Sequence, residues 1–359
     1  MSSPVFGYQF PSLRGVQAGR SYYISQCPLR LLPRLFSKDD SDLPVEARAQ
    51  RTLNHERIPE ITRYILDNRE EYVFSAITAS IDGVVRFETL DDTNPDIGVL
   101  HVPMSARFIV NDGQHRRAAL TAALEEDPLL GDETIAIVFF IDVNLERSQQ
   151  MFADLNRHGV RPSVSIGLLY DHRLPLAEVS RQVVKTIPLL KDLVEFEKTT
   201  LAPKSRKLFT LSAIHSAHMS LLAGVDQDDQ VPTAINFWNA VIKAFPEWTD
   251  VHVRRLTAGE IRQDYIHSHG TVLHAVGKVG NAMLRNPPVK WESLTKALTS
   301  LNWLRSNSKL WEGRVLIGGR VSKANQSVLL TSAVIKQALK IPLLTEETRL
   351  ENALKGARK

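Results

Sequence analysis

The spacing of apolar positions changes about midway along the chain. In the first half, short apolar runs are bounded by Gly, Pro, Asn and Asp, which is a strand pattern; beyond residue 175 such runs become scarce and helical periodicity dominates. Tyr22-Tyr23-Ile24 predicts a strand, and Pro28 and Pro33 interrupt the segment after it. A helix is expected from Pro44 to Asn54, and Ile58, Ile61, Ile65 and Leu66 give one apolar face to a second helix over 57–68. Val73 to Ile81 and Val84 to Phe87 read as two strands closed into a hairpin by Asp82-Gly83. Ile97 to Val102 is a further strand, ended by Pro103. The unbroken apolar run from Thr134 to Ile141 predicts a strand buried on both faces, and Leu145 to Arg157 predicts a helix. A break near Asp171 to Pro175 divides an α/β domain, residues 1–173, from a helical lobe, residues 174–359. In that lobe helices are expected over 208–222, 269–284 and 291–303, with a capping box at Thr257-Ala258-Gly259-Glu260. Gly224 to Val231 reads as a polar loop, Arg314 to Lys323 as a Gly-rich basic hairpin or loop, and Glu346 to Lys359 as a charged, partly mobile tail. The class is therefore α+β, a mixed-sheet domain followed by a mostly helical lobe.

Three clusters carry candidate chemistry. In Arg107 to Leu120, Phe108 to Val110 form a strand, Asp112 is a suitable N-cap, Gly113 permits a tight turn, and the alanine-rich run beyond it propagates a helix. Gln114, His115 and Arg116 then fall in the first turn, where unpaired amides and the helix dipole suit an anion such as phosphate. The Asp112 carboxylate would repel a bare phosphate, so it suits a cap, an anchor for Mg²⁺ or an acid/base group; Asp112 and His115 are the catalytic candidates. The plain alternative is a capped strand–turn–helix junction with solvated arginines. The second cluster, Asn156, Arg157 and Arg161, ends the next helix and suits nucleotide or DNA contact, or else cationic capping of a helix C-terminus. The third is basic: Lys204, Arg206 and Lys207 before one helix, Arg254 and Arg255 before another. These residues either grip a DNA backbone or form exposed basic loops.

Composition narrows the classes. A chain of 359 residues is too long for one ordinary core, and its 43% apolar and 23% charged residues are those of a globular protein. A net charge of +4 permits a polyanionic partner without requiring one. Cys27 is the one cysteine, so an intrachain disulfide is excluded and a reducing cytoplasm fits; the thiol is either reactive near Arg30 or a filler of core space. No apolar run approaches membrane-spanning length and no signal-peptide core is present, so a cytoplasmic protein without a membrane partner is expected. His215 and His218 lie three apart and His267, His269 and His274 cluster, but no ligand set is completed and no metal site is expected. No nucleotide-binding Gly-Lys-Ser/Thr loop, internal repeat or clear helix-turn-helix is present, so DNA contact would fall to a distributed basic surface.

Asn111-Asp112-Gly113-Gln114-His115-Arg116-Arg117-Ala118-Ala119 resembles the signature of DGQHR-domain proteins. Phe10-Pro11 with Gly15 to Arg20, Arg51 to Asn54, Phe74 to Ala79 and Phe152 to His158 resemble DndB, a family of bacterial DNA phosphorothioation systems, which replace a backbone oxygen of DNA with sulfur. The resemblance implies a ParB/sulfiredoxin-like fold for the DGQHR region. There Gly113-Gln114-His115-Arg116 occupies the slot of a Gly-Glu-Arg-Arg element that binds nucleotide phosphates in ParB-like proteins, and of a Gly-Cys-His-Arg element in sulfiredoxins. Gln114 lacks the thiol that sulfiredoxin chemistry needs, so that chemistry is not carried over. Nucleotide binding is: NTP with Mg²⁺ is the implied cofactor, with His115 at a phosphate or acting as acid/base, Arg116 as the fork-shaped partner, and Asn156 and Arg157 on the same rim. Likeness to DndB further implies a repressor of phosphorothioation genes, bound to double-stranded DNA at its own promoter as a homo-oligomer and able to meet other phosphorothioation proteins. The alternative is a nucleotide-dependent switch or NTPase working through the DGQHR turn. Sulfur transfer by the chain itself is not expected, because a lone cysteine cannot both carry sulfur and hold an iron–sulfur centre.

Overall fold

The short apolar runs of the first half do become strands, in an order the local pattern does not reveal. The structure, a computed structural model, describes residues 7–36, 56–141, 150–151, 154–155 and 163–357. It divides into two compact units, residues 1–160 and 161–359. The first is built on a seven-stranded mixed sheet of order β4-β5-β1-β2-β7-β3-β6. Its strands are β1 (Gly7–Gln17), β2 (Arg20–Pro28), β3 (Ile77–Asp82), β4 (Arg86–Thr89), β5 (Ile97–Pro103), β6 (Arg107–Asp112) and β7 (Thr134–Ile141). β1 and β2 form an antiparallel hairpin closed by Ala18 and Gly19, whose φ of 51° and 73° are those of a turn matched to strand twist.

Two expectations about strands are corrected. Asp82-Gly83 closes no hairpin: β3 pairs antiparallel with β6 and parallel with β7, while β4 pairs with β5 at the opposite edge. The side chains explain it, because Ile77, Ala79 and Ile81 are fully buried whereas β4 exposes Arg86, Glu88 and Thr89, a composition fit for an edge. Nor is β7 buried on both faces. Ile135, Ile137 and Phe139 are buried and Thr134 and Ala136 exposed, so the strand alternates. The core lies on that one face, where Phe10, Ile77, Ile137 and Phe139 meet Ile65 of the helix Arg57–Asp67 and Ala119, Leu120 and Ala123 of the helix Gln114–Glu126. Cys27 on β2 belongs to it: the thiol is fully buried, and burial pushes it up to about 12, which suits a filler of space.

The second unit is helical. Its centre is the pair Leu211–Leu221 and Gly270–Leu284, in contact where a Cβ on Gly277 would meet the Ala217 carbonyl oxygen at 2.4 Å, so only glycine allows the approach. Trp238, Trp248, Trp311, Phe237 and Phe245 fill the core. The histidines take part in it as neutral hydrogen-bonding groups. His218 accepts from Trp238 Nε1 at 2.8 Å and meets Ser180 Oγ at 2.9 Å, and His267 accepts from Trp248 Nε1 at 2.9 Å. Burial pushes both down to about 3.

Two further expectations fail here. The segment read as a polar loop from Gly224 contains the start of the helix Gln227–Ala244, whose acidic first turn suits the helix dipole but hides the apolar period. The charged tail is the helix Thr345–Ala357, held by Lys336–Glu347 at 2.7 Å and by two Arg314–Glu351 bonds at 2.7 and 2.8 Å. Glu347 and Glu351 are buried, so the tail's charge docks it. The capping box at Thr257 and Glu260 is present in both directions, and a short hairpin joins Leu316–Ile317 to Arg320–Val321. The expected helix Pro44–Asn54 and most of Leu145–Arg157 lie outside the described residues.

Candidate functional site

At the end of β6, Gly113 turns the chain with φ 99° and stands as the N-cap of Gln114–Glu126; no side chain caps this helix. Asp112 is therefore not the cap the sequence suggested. Its Oδ2 instead receives Arg116 Nη2 at 2.5 Å, one turn along. Arg116 Nη1 donates to the Ser75 carbonyl at 2.8 Å, to the Ala76 carbonyl at 3.0 Å and to the Ser75 hydroxyl, so the guanidinium straps the segment before β3 to the helix start. A Cβ at residue 113 would meet both Arg116 Nη2 and Ile77 Cγ1 at 3.2 Å, so this glycine is required for its φ and for the space the guanidinium fills. Gln114 Nε2 lies 3.3 Å from the Asn111 carbonyl, Arg117 Nη1 donates to the Phe36 carbonyl at 2.9 Å, and buried Asn111 donates to Ser80 Oγ at 2.7 Å. His115 is half-buried. With Arg116 only 17% exposed and its guanidinium engaged by Asp112, Ser75 and Ala76, this turn is a brace. Asn156, Arg157 and Arg161 lie outside the described residues.

The basic candidates of the second unit come together. Lys204, Arg206 and Lys207 line one open cleft of about 810 Å³ with Arg254, from the far end of the helix Pro246–His252. Asp192 supplies its one carboxylate, 3.3 Å from His252 Nδ1. Lys207 Nζ donates to the Asp192 carbonyl at 2.5 Å; Lys204, Arg206 and Arg254 are exposed and have no carboxylate partner among the described residues. Arg255 is exposed too, stands outside the cleft wall, and lies 3.4 Å from Asp250 Oδ1. A cleft dominated by one sign of charge concentrates counter-ions of the other.

Two devices set this geometry. Arg262, which the sequence reading did not single out, donates to the carbonyls of Ala202 at 3.0 Å, Pro203 at 2.8 Å, Ser205 at 3.2 Å and Lys207. It thereby fixes the loop that carries the cations. Its partners are 55 to 60 residues away, and a contact of that range leaves no local trace in a sequence. Arg254 takes φ 64°, at a helix end where the amide of Arg254 bonds the Val251 carbonyl and that of Arg255 the Asp250 carbonyl. Glycine ordinarily fills this position.

The motif Asp112–Arg116 is thus a structural joint within a larger pattern, and that pattern decides the family. The DndB family model, described as DNA-sulfur modification-associated, matches residues 10–342. The chain belongs to the DndB family. No curated protein matches it, and no solved structure does. As a DndB-family protein it is associated with DNA sulfur modification, and both the DGQHR turn and the basic cleft fall inside the matched span. No helix among the described residues is long and apolar enough to cross a membrane.

Proposed function

We propose that this DndB-family protein is a DNA-binding repressor of a DNA sulfur modification gene cluster and that it holds the duplex backbone in the Lys204–Arg254 cleft. The supporting observation is the convergence, on one opening with a single carboxylate, of exposed cations from two separate stretches of chain. Cations so placed neutralise phosphates and release counter-ions, which yields affinity that falls with salt; they position the duplex without reading its sequence. Two copies on a palindromic operator would add the sequence preference a repressor needs. The DGQHR turn has no step in this reading, because its arginines already donate to the chain.

Fluorescence anisotropy with the promoter duplex and an unrelated duplex tests it. Replacing Lys204, Arg206 and Arg254 together by Ala should weaken promoter binding more than about tenfold and lower the salt slope by about 3, near 0.9 for each phosphate contact. Unchanged affinity and slope would remove the cleft from DNA binding, and equal parental affinity for both duplexes would remove the repressor.

A further inference from the structure

We infer that the hairpin Leu316–Val321 enters the minor groove of the duplex held by the Lys204–Arg254 cleft, with Ile317 and Arg320 as its groove-facing pair. The inference rests on the DNA binding proposed above and adds the place where base pairs are read. In the hairpin Leu316 pairs with Val321 and Ile317 with Arg320. Strand side chains alternate between faces, so the two pairs point to opposite sides. Leu316 is buried and Val321 packs against the core, which anchors one side. On the other, Ile317 is 57% exposed beside an exposed Arg320 that has no side-chain partner among the described residues. An aliphatic wedge next to a free guanidinium is the pair that minor-groove proteins use to part base steps and follow the groove floor.

The tip is narrow and held in place. Gly318 and Gly319 take φ 56° and 74°, the positive pair of a two-residue turn, and nothing lies within 4 Å of where a Cβ would stand on either. Without side chains the tip is about as wide as two paired strands, about 4.8 Å, against about 6 Å for the minor groove. The amides of Gly318 and Gly319 donate to the Glu312 carboxylate at 2.5 and 3.2 Å, and the Gly319 carbonyl accepts from Arg305 Nη1 at 3.2 Å. Arg305 also ties the hairpin to the cleft. Its Nη2 donates to the Arg262 carbonyl at 3.0 Å, while the Arg262 guanidinium holds the carbonyls of Ala202, Pro203 and Lys207 in the loop that carries the cations. Two arginines thus link the hairpin tip to the phosphate-gripping loop. Backbone contacts fix the duplex in register, and a groove contact tied to them supplies the reading, which in the minor groove separates A·T from G·C pairs.

Fluorescence anisotropy of the full chain tests the hairpin on the promoter duplex and on a copy with 2-aminoadenine for adenine, which adds an amino group in the minor groove and leaves the major-groove edge unchanged. The parental chain should bind the copy about tenfold more weakly than the promoter. Ile317→Ala combined with Arg320→Ala should bind the promoter about tenfold more weakly than the parental chain and lose nothing further on the copy. Asn-Gly suits the same turn, so Gly318→Asn should keep the parental urea midpoint while its wider tip weakens promoter binding several-fold. Equal parental affinity for the two duplexes would overturn the inference and leave the cleft as the DNA site. So would a double variant that keeps either the parental affinity or the discrimination, or a Gly318→Asn chain that binds as the parental one does. A parental chain that binds neither duplex would instead remove the repressor, and the hairpin's role with it.

Discussion

In the DGQHR turn the guanidinium of Arg116 closes on Asp112, Ser75 and Ala76; in the Lys204–Arg254 cleft the loop carbonyls are already taken by Arg262, which leaves Lys204 and Arg206 facing the opening. Both regions combine a loop rich in carbonyl oxygens with nearby cations. They differ in whether another cation has satisfied those oxygens. A basic residue is available to a ligand once the backbone around it has its donors, and that condition is set by tertiary contacts that no motif encodes. The histidines of the second unit obey the same logic from the other side, satisfying buried tryptophan donors only while they stay uncharged.

That dependence gives the largest expected effect. The folded-state values of His218 and His267, near 3, lie below the usual unfolded value of about 6.5. The stability they confer is complete above about pH 6.5 and is lost as pH falls toward 3, at about 1.4 kcal/mol per pH unit for each. Together they should remove roughly 3 kcal/mol per unit between about pH 6 and 4. All five tryptophans lie in the second unit, so the urea midpoint of tryptophan emission reports on it alone and should drop steeply across that window. A flat midpoint would show that these histidines do not stay neutral in the core.

Next in size is the brace. Arg116→Ala removes an ion pair and the donors to Ser75 and Ala76, and should cost about 2–4 kcal/mol, read as lost hydrogen-exchange protection in β3 and β6. Lys204→Ala should change stability by no more than about 0.5 kcal/mol. Arg116→Lys should not rescue the brace, because an ammonium cannot reproduce the fork. If Arg116→Ala keeps its protection, the contrast between the two regions collapses.

Much of this was legible in sequence, for reasons that particular residues make plain. Strands β5 and β7, the helix start at Gln114 and the capping box at Thr257 obey local rules, and local rules found them. The partner of β3 was not legible, since burial of Ile77, Ala79 and Ile81 selects β6 and β7 over the nearer β4. The tail was misread because Glu347 and Glu351 count as solvated charges until Lys336 and Arg314 are seen beside them. At the site the cations of both stretches were visible, whereas their meeting in one cleft and the strap made by Arg262 were not.

The smallest effect discriminates most finely, because it should move stability and binding in opposite directions. Arg254 holds φ 64° at a helix end, a conformation that costs a side-chain-bearing residue roughly 1–2 kcal/mol. Arg254→Gly relieves that strain but loosens the unfolded chain by about 0.5–1 kcal/mol, so a net gain of about 0.5–1 kcal/mol in urea unfolding is expected. The same change removes a cation from the cleft and should weaken promoter binding several-fold, with the salt slope falling by about 0.9. A variant that gains stability and keeps its affinity would mean that Arg254, unlike Lys204 and Arg206, has no part in gripping DNA. One that loses both would mean that the arginine side chain supports the helix end, as Arg116 supports its turn, and would move Arg254 to the other side of the comparison.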